Sequence, residues 1–140
     1  MFKAAVIAGT PVDTRMGVDY IEKKNLSYEL PEVCPLYMPV SADCDEQLAF
    51  QYSDDDTKRR RMDEIFDEAE GQGIRDFFIY CNSLSGAFDF EPYAKARGVR
   101  VYTPLQVCRA VGRSYSRVGV MAANNLSAYN IEKNLMMANS

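Results

Sequence analysis

The sequence predicts an α/β fold, and three observations carry that expectation. Short, mostly continuous apolar runs recur along the chain, segments of helical spacing separate them, and Gly, Pro and capping residues punctuate the joins. Continuous apolar runs of strand length mark strands buried on both faces, as in a parallel sheet with helices on each side. At 140 residues, 47% apolar and 26% charged, the chain has the size and composition for one such core. The expected arrangement is flavodoxin-like.

The elements follow in order. Strands are expected over residues 3–8, 77–80, 99–102 and 118–121, with a weaker one over 36–40. The first runs through Gly9-Thr10-Pro11 into a helix. Asp43-Cys44-Asp45-Glu46 has the capping-box pattern and opens a helix with Leu48, Ala49 and Tyr52 on one side. Met62, Ile65, Phe66 and Ala69 recur at helical spacing, and Gly71 and Gly73 stop that helix. Thr103-Pro104-Leu105-Gln106 is a second capping box, with proline at the favoured first position and an inward stripe of Leu105, Cys108, Val111 and Tyr115. Asn125 is expected to cap a last helix carrying Leu126, Tyr129 and Leu135. The basic run Lys58-Arg59-Arg60-Arg61 directly follows acidic Asp54-Asp55-Asp56, the order a helix dipole favours, and reads as a solvated face.

Composition narrows the function classes. Net charge is −4 with no basic stripe, which argues against a nucleic-acid partner. No apolar run has the length of a bilayer span, and the opening run breaks at Gly9-Thr10-Pro11 without a cleavage-type sequence. A cytoplasmic protein with no membrane partner is therefore expected. Cys34, Cys44, Cys81 and Cys108 are irregularly spaced without a CxxC pair, and the chain has no histidine. A metal site then has poor ligand choices, and both Ser-His-Asp and Cys-His catalysis are excluded within the chain. The cysteines are expected to be free thiols.

In α/β sheets ligands bind beyond the carboxyl ends of the strands, so polar groups there carry the functional signal. The first strand opens into a loop, residues 9–17, rich in hydroxyls and leading into a helix N-terminus; it fits an anion site or an ordinary turn equally. The third ends in Cys81-Asn82-Ser83, followed by Ser85-Gly86. Backbone N–H groups of the next turn would face this thiol and make it a base or nucleophile; the alternative is a packing cysteine that ends a strand. Pro39-Val40-Ser41 is a further candidate for the pocket rim, and residues 122–127 form another polar turn into a helix. Cys108 lies on an apolar stripe and reads as packing, whereas Cys34 and Cys44 occupy loop or cap positions.

Taken together, these strand-end residues resemble the aspartate/glutamate racemase family, which includes the hydantoin racemases. Cys81-Asn82-Ser83 is similar to that family's first catalytic Cys-Asn-Ser/Thr. Pro39-Val40-Ser41 sits where the family has a substrate-contacting turn, and Ala123-Asn124-Asn125-Leu126-Ser127 resembles the turn opening its second half. The resemblance implies a cofactor-independent isomerase in which two cysteines face each other across the substrate Cα, one removing a proton and the other returning one. Inversion needs an acid and a base on opposite sides of a planar carbanion. It further implies Cys81 as one of that pair and Asn82 and Ser83 as ligands of a carboxylate. Thr10, Pro39, Ser41 and Asn125 would complete the substrate pocket, with no metal and with a small carboxylate or amino acid as partner.

Two departures accompany the resemblance. The family is pseudo-symmetric, with its second cysteine in a Gly-Cys-Thr-type motif well past the midpoint, and this chain reaches Ser140 without that motif. Glutamate racemases carry Asp-Ser-Gly where this chain reads Gly9-Thr10-Pro11, so the acidic helper is either missing or supplied by Asp13. The expectation is therefore a first domain over residues 1–114, followed by the opening strand and helix of a second over 115–140. That arrangement predicts exposed apolar surface on the final segment and a tendency to form a homodimer or to aggregate. Two other readings remain open: a non-catalytic carboxylate-binding module, and a related hydantoin racemase or single-cysteine decarboxylase.

Overall fold

The computed structural model describes residues 2–27 and 32–137. The element order is β1 (Phe2–Ala8), α1 (Pro11–Asn25), β2 (Val33–Pro39), α2 (Cys44–Gln51), α3 (Asp55–Gly71), β3 (Asp76–Ile79), α4 (Asn82–Ala87), α5 (Phe90–Arg97), β4 (Arg100–Tyr102), α6 (Pro104–Ser114) and α7 (Asn125–Met137). Among the described residues the strands form one all-parallel sheet in the order β2-β1-β3-β4. This is the expected flavodoxin-like α/β architecture.

Helices cover both faces because neighbouring residues of β1 point opposite ways. Ala5 and Ile7 face α3 and α5, in a core with Met62, Ile65, Phe66, Phe77, Phe90 and Tyr93. Phe66 is fully buried, stacks on Phe77 at 4.0 Å and meets Tyr93 edge-on at 5.0 Å. Val6 faces α1, where Gly17 lets the helix approach so closely that a Cβ there would lie 2.8 Å from Val6 and 2.9 Å from the Tyr80 ring.

Local chemistry sets the ends of the helices. Thr10 and Thr103 each precede a proline and cap α1 and α6 with their hydroxyls, and Thr103 and Gln106 complete a reciprocal capping box. Asp43 caps α2 by accepting from the Glu46 N–H, while Glu46 reaches back to the Ala42 N–H. Gly73 and Gly98 take left-handed φ values of 81° and 70° after α3 and α5, a region costly for other residues. Helix α5 is not among the expected elements, although Phe90, Tyr93 and Ala94 at helical spacing and the closing Gly98 encode it.

Several expectations are corrected. Residues 118–121 form no strand, and Val118 and Met121 are exposed. A short extended run needs a neighbour to satisfy its backbone groups. Instead α7 packs chiefly on α6, where Gly112 lies so close to the Leu135 backbone that a Cβ would sit 3.0 Å from its carbonyl carbon. The cap of α7 is Asn124, whose side chain accepts from the Ser127 N–H, and not Asn125. Leu48 and Ala49 of α2 and Tyr52 just after it are exposed; Phe50 is the buried anchor, so the helix is turned away from the face the spacing favoured. Along α6 the stripe of Leu105, Cys108 and Val111 is half-buried while Tyr115 is exposed, because the helix stops at Ser114. The final segment, described as far as Met137, exposes Leu126, Tyr129, Met136 and Met137.

The basic run of α3 is more than a solvated face. Arg61 donates to the carbonyls of Val40 (2.9 Å) and Pro39 (3.3 Å), and Arg59 lies over the Tyr93 ring at 5.6 Å. At the opposite edge of the sheet, Asp76 is buried and accepts two bonds from Arg100, at 2.6 and 2.8 Å, and one from the Tyr102 hydroxyl. The Arg100 bonds hold its carboxyl below the usual range in spite of burial. A carboxyl depressed on folding stabilises above its unfolded value of about 4 and loses that contribution as pH falls through the folded value. Arg100→Met strands Asp76 with the tyrosine alone, so burial then favours the neutral acid. The gap in melting temperature between wild type and Arg100→Met is expected to be widest at neutral pH and to shrink towards pH 3. A gap that stays constant with pH would contradict this.

Candidate functional site

Backbone pairing brings three strand ends into one row. Beyond the regular ladder, Tyr80 N–H donates to Ile7 O (2.8 Å), Val40 N–H to Ala8 O (2.9 Å) and Ser41 N–H to Gly9 O (3.1 Å). Ser41, the Gly9-Thr10 turn and Cys81 therefore stand side by side at the carboxyl edge, on adjacent strands β2, β1 and β3. With strands about 4.8 Å apart, Ser41 and Cys81 flank this turn across roughly 10 Å.

Cys81 is half-buried and serves as the N-cap of α4. Its Sγ accepts the Leu84 N–H at 3.4 Å, and its carbonyl accepts from both the N–H and the hydroxyl of Ser85, at 3.1 and 2.8 Å. The thiol is thus fixed in direction by the first turn of the helix. Asn82 is exposed and Ser83 half-buried in that same turn.

Thr10 is buried, donates its hydroxyl proton to Asp13 at 3.0 Å and accepts from the Asp13 N–H. Asp13 is thereby anchored in the first turn of α1, next to the strand ends. Pro39 is half-buried and Ser41 buried, their turn held by Arg61. Asn125 is exposed at the start of α7, whose main contacts are α6 and α4 and not a strand.

The other thiols are spread apart. Cys34 is exposed near the amino end of β2, paired in register with Lys3, and Cys44 is exposed at the start of α2. Cys108 is half-buried on α6, where burial pushes its thiol above the usual range against an opposing pull from Arg109.

A cleft of about 590 Å³ lies beside this row, beyond the ends of β3 and β4 and between α4–α5 and α6–α7. Ser85, Thr103, Arg109 and Asn134 line it; Cys81, Thr10 and Ser41 do not. Two cations line it, Arg109 and Lys133, and Arg109 is engaged by Glu91 and by Asn134. The strand-end row, separate from this cleft, sets a thiol directed by the Leu84 N–H beside hydroxyls and amides.

One residue at this edge was not legible beforehand. Gln47 of α2 lays its carboxamide over Gly9, so that a Cβ at Gly9 would lie 2.7 Å from Gln47 Cδ.

Among the described residues, no three acidic, thiol or imidazole groups converge as a metal site, and no helix is long and apolar enough to cross a membrane. No protein-family model matches the chain, and neither curated proteins nor solved structures supply a match.

Proposed function

We propose that the strand-end row is an amino-acid site at which Cys81 exchanges the Cα proton of an acidic amino acid without a cofactor, as the resemblance to aspartate/glutamate racemases implies. The observation that carries this reading is the position of Cys81: a half-buried thiol at the carboxyl end of a central parallel strand, aimed by the Leu84 N–H. Chemistry at that edge is what a parallel α/β sheet favours.

The step balances with one thiol. The Cys81 thiolate takes the proton from Cα, an S–H bond forms, and the electron pair left on Cα spreads into the α-carboxylate. Donors from Asn82, Ser83 and the first turn of α4 are suited to stabilise that charge. Return of a solvent-exchanged proton from the same thiol restores the same enantiomer. Full inversion needs a second acid on the opposite face, and the other three thiols, Cys34, Cys44 and Cys108, lie on β2, α2 and α6.

Thiol alkylation tests the site directly. In a Cys34→Ser/Cys44→Ser background, L-glutamate or L-aspartate is expected to slow iodoacetamide modification of Cys81 severalfold while leaving Cys108 unaffected, as read by peptide mass mapping. Equal rates with and without saturating amino acid would remove the basis for a substrate at Cys81.

A further inference from the structure

A second cavity lies away from Cys81, at the amino edge of the sheet. It measures about 300 Å³ and sits between the last two turns of α1 and the sheet face that this helix packs against. Register sets Ala4 beside Asp76 and Phe78 beside Tyr102, all on that face. Helix α1 packs on β1 and β2, and past it Phe78 of β3 is only half-buried and Tyr102 of β4 is exposed. Ala4, small and buried, leaves room at the floor.

The walls are aromatic. Phe2, Tyr20 and Tyr102, all exposed, stand around the cavity together with Phe78. Single exposed apolar side chains are ordinary, but several rings gathered at one concavity mark a binding surface. Among the described residues, none of Phe2, Tyr20 and Tyr102 stacks on another ring. Two of these rings are held in place from outside the cavity's centre. The Tyr102 hydroxyl is bonded to Asp76 at 3.1 Å, and the Lys24 ammonium lies over the Tyr20 ring at 5.4 Å. Rings fixed beforehand lose little freedom when a ligand arrives.

Polar groups in the walls are answered from within. Asn25 exchanges two hydrogen bonds with the Val33 backbone, at 2.7 and 3.1 Å. The Asp76 carboxylate is paired with Arg100 through two bonds. A charged ligand would therefore give up water without gaining a partner, whereas a ring gains burial and ring–ring contact.

We propose that this cavity is a binding site for a neutral aromatic molecule of one or two rings. The site is independent of the Cys81 reading, since it lies at the opposite end of β3, roughly 15 Å from that thiol by strand rise. An apolar, ring-lined cavity of this size takes such a ligand without rearrangement of the sheet.

Indole is the probe. The chain contains no tryptophan, so indole fluorescence excited beyond the tyrosine band reports on the ligand alone. On titration with the intact chain its emission is expected to shift to the blue and to saturate at one equivalent. In ¹H–¹⁵N spectra indole is expected to move the amides of Tyr20, Phe78 and Tyr102 and to leave the Leu84 N–H still. Tyr20→Ala, at an exposed rim position, is expected to weaken binding about fivefold, the worth of one aromatic contact, and Tyr20→Phe to keep it. Phenol should displace indole, and cyclohexanol, its saturated counterpart, should not. A shift that never saturates, or amide changes confined to other parts of the chain, overturns the site. Equal binding by Tyr20→Ala and wild type, or equal displacement by cyclohexanol and phenol, overturns recognition by the rings. A dimer that shields Tyr20 and takes up no indole would put a second copy in the cavity, and the proposal would fail.

Discussion

Truncating Phe66 to alanine is expected to cost about 3–5 kcal/mol, a large part of the stability of a domain this size. Phe66 is fully buried on α3 and touches three aromatic neighbours, stacking on Phe77 of β3 and meeting Phe90 and Tyr93 of α5. Removing the ring leaves a cavity between sheet and helices that rigid strands cannot close. The melting temperature should fall by roughly 10 °C or more, and Phe66→Leu, which keeps most of the volume, should lose markedly less. Similar midpoints for Phe66→Ala and wild type in urea would mean that the α3–β3 interface is not the centre of the core.

The second large effect is chemical. Cys81→Ala is expected to reduce Cα proton exchange by about 100-fold or more, the usual contribution of a positioned base. Its structural cost is modest by comparison: the substitution removes the cap contact to the Leu84 N–H, worth about 1 kcal/mol, together with the packing of a half-buried sulfur at the margin of the core. Loss of exchange with only a modest drop in unfolding midpoint therefore separates a catalytic thiol from a packing one. A packing cysteine would give the reverse pattern.

What could be read from the sequence follows the range of the forces involved. The stripe of Met62, Ile65, Phe66 and Ala69 was legible because amphipathic spacing over a long helix has one satisfactory orientation. The Thr103-Pro104 and Asp43 caps were legible because capping is a bond over three residues. Residues 118–121 were misread because an apolar run becomes a strand through its neighbours, and the α6–α7 contact took precedence. The α2 helix, eight residues long, is oriented by the single anchor Phe50, which leaves Leu48 and Tyr52 in solvent. At the site, Cys81, Thr10 and Ser41 could be named in advance because strand ends are where α/β sheets present polar groups. Gln47 could not, since its contact with Gly9 joins residues far apart in the chain and leaves no local motif.

The most direct measurement of the central claim follows the Cα proton of L- and D-glutamate and L- and D-aspartate separately, by NMR in D₂O, with the folded wild-type chain. A site with one directed thiol predicts washout of the Cα proton from one enantiomer, with the product keeping its configuration and with Cys81→Ala at the solvent background. No washout from any of the four by folded protein, at concentrations that saturate binding, would contradict Cys81 as a base at Cα.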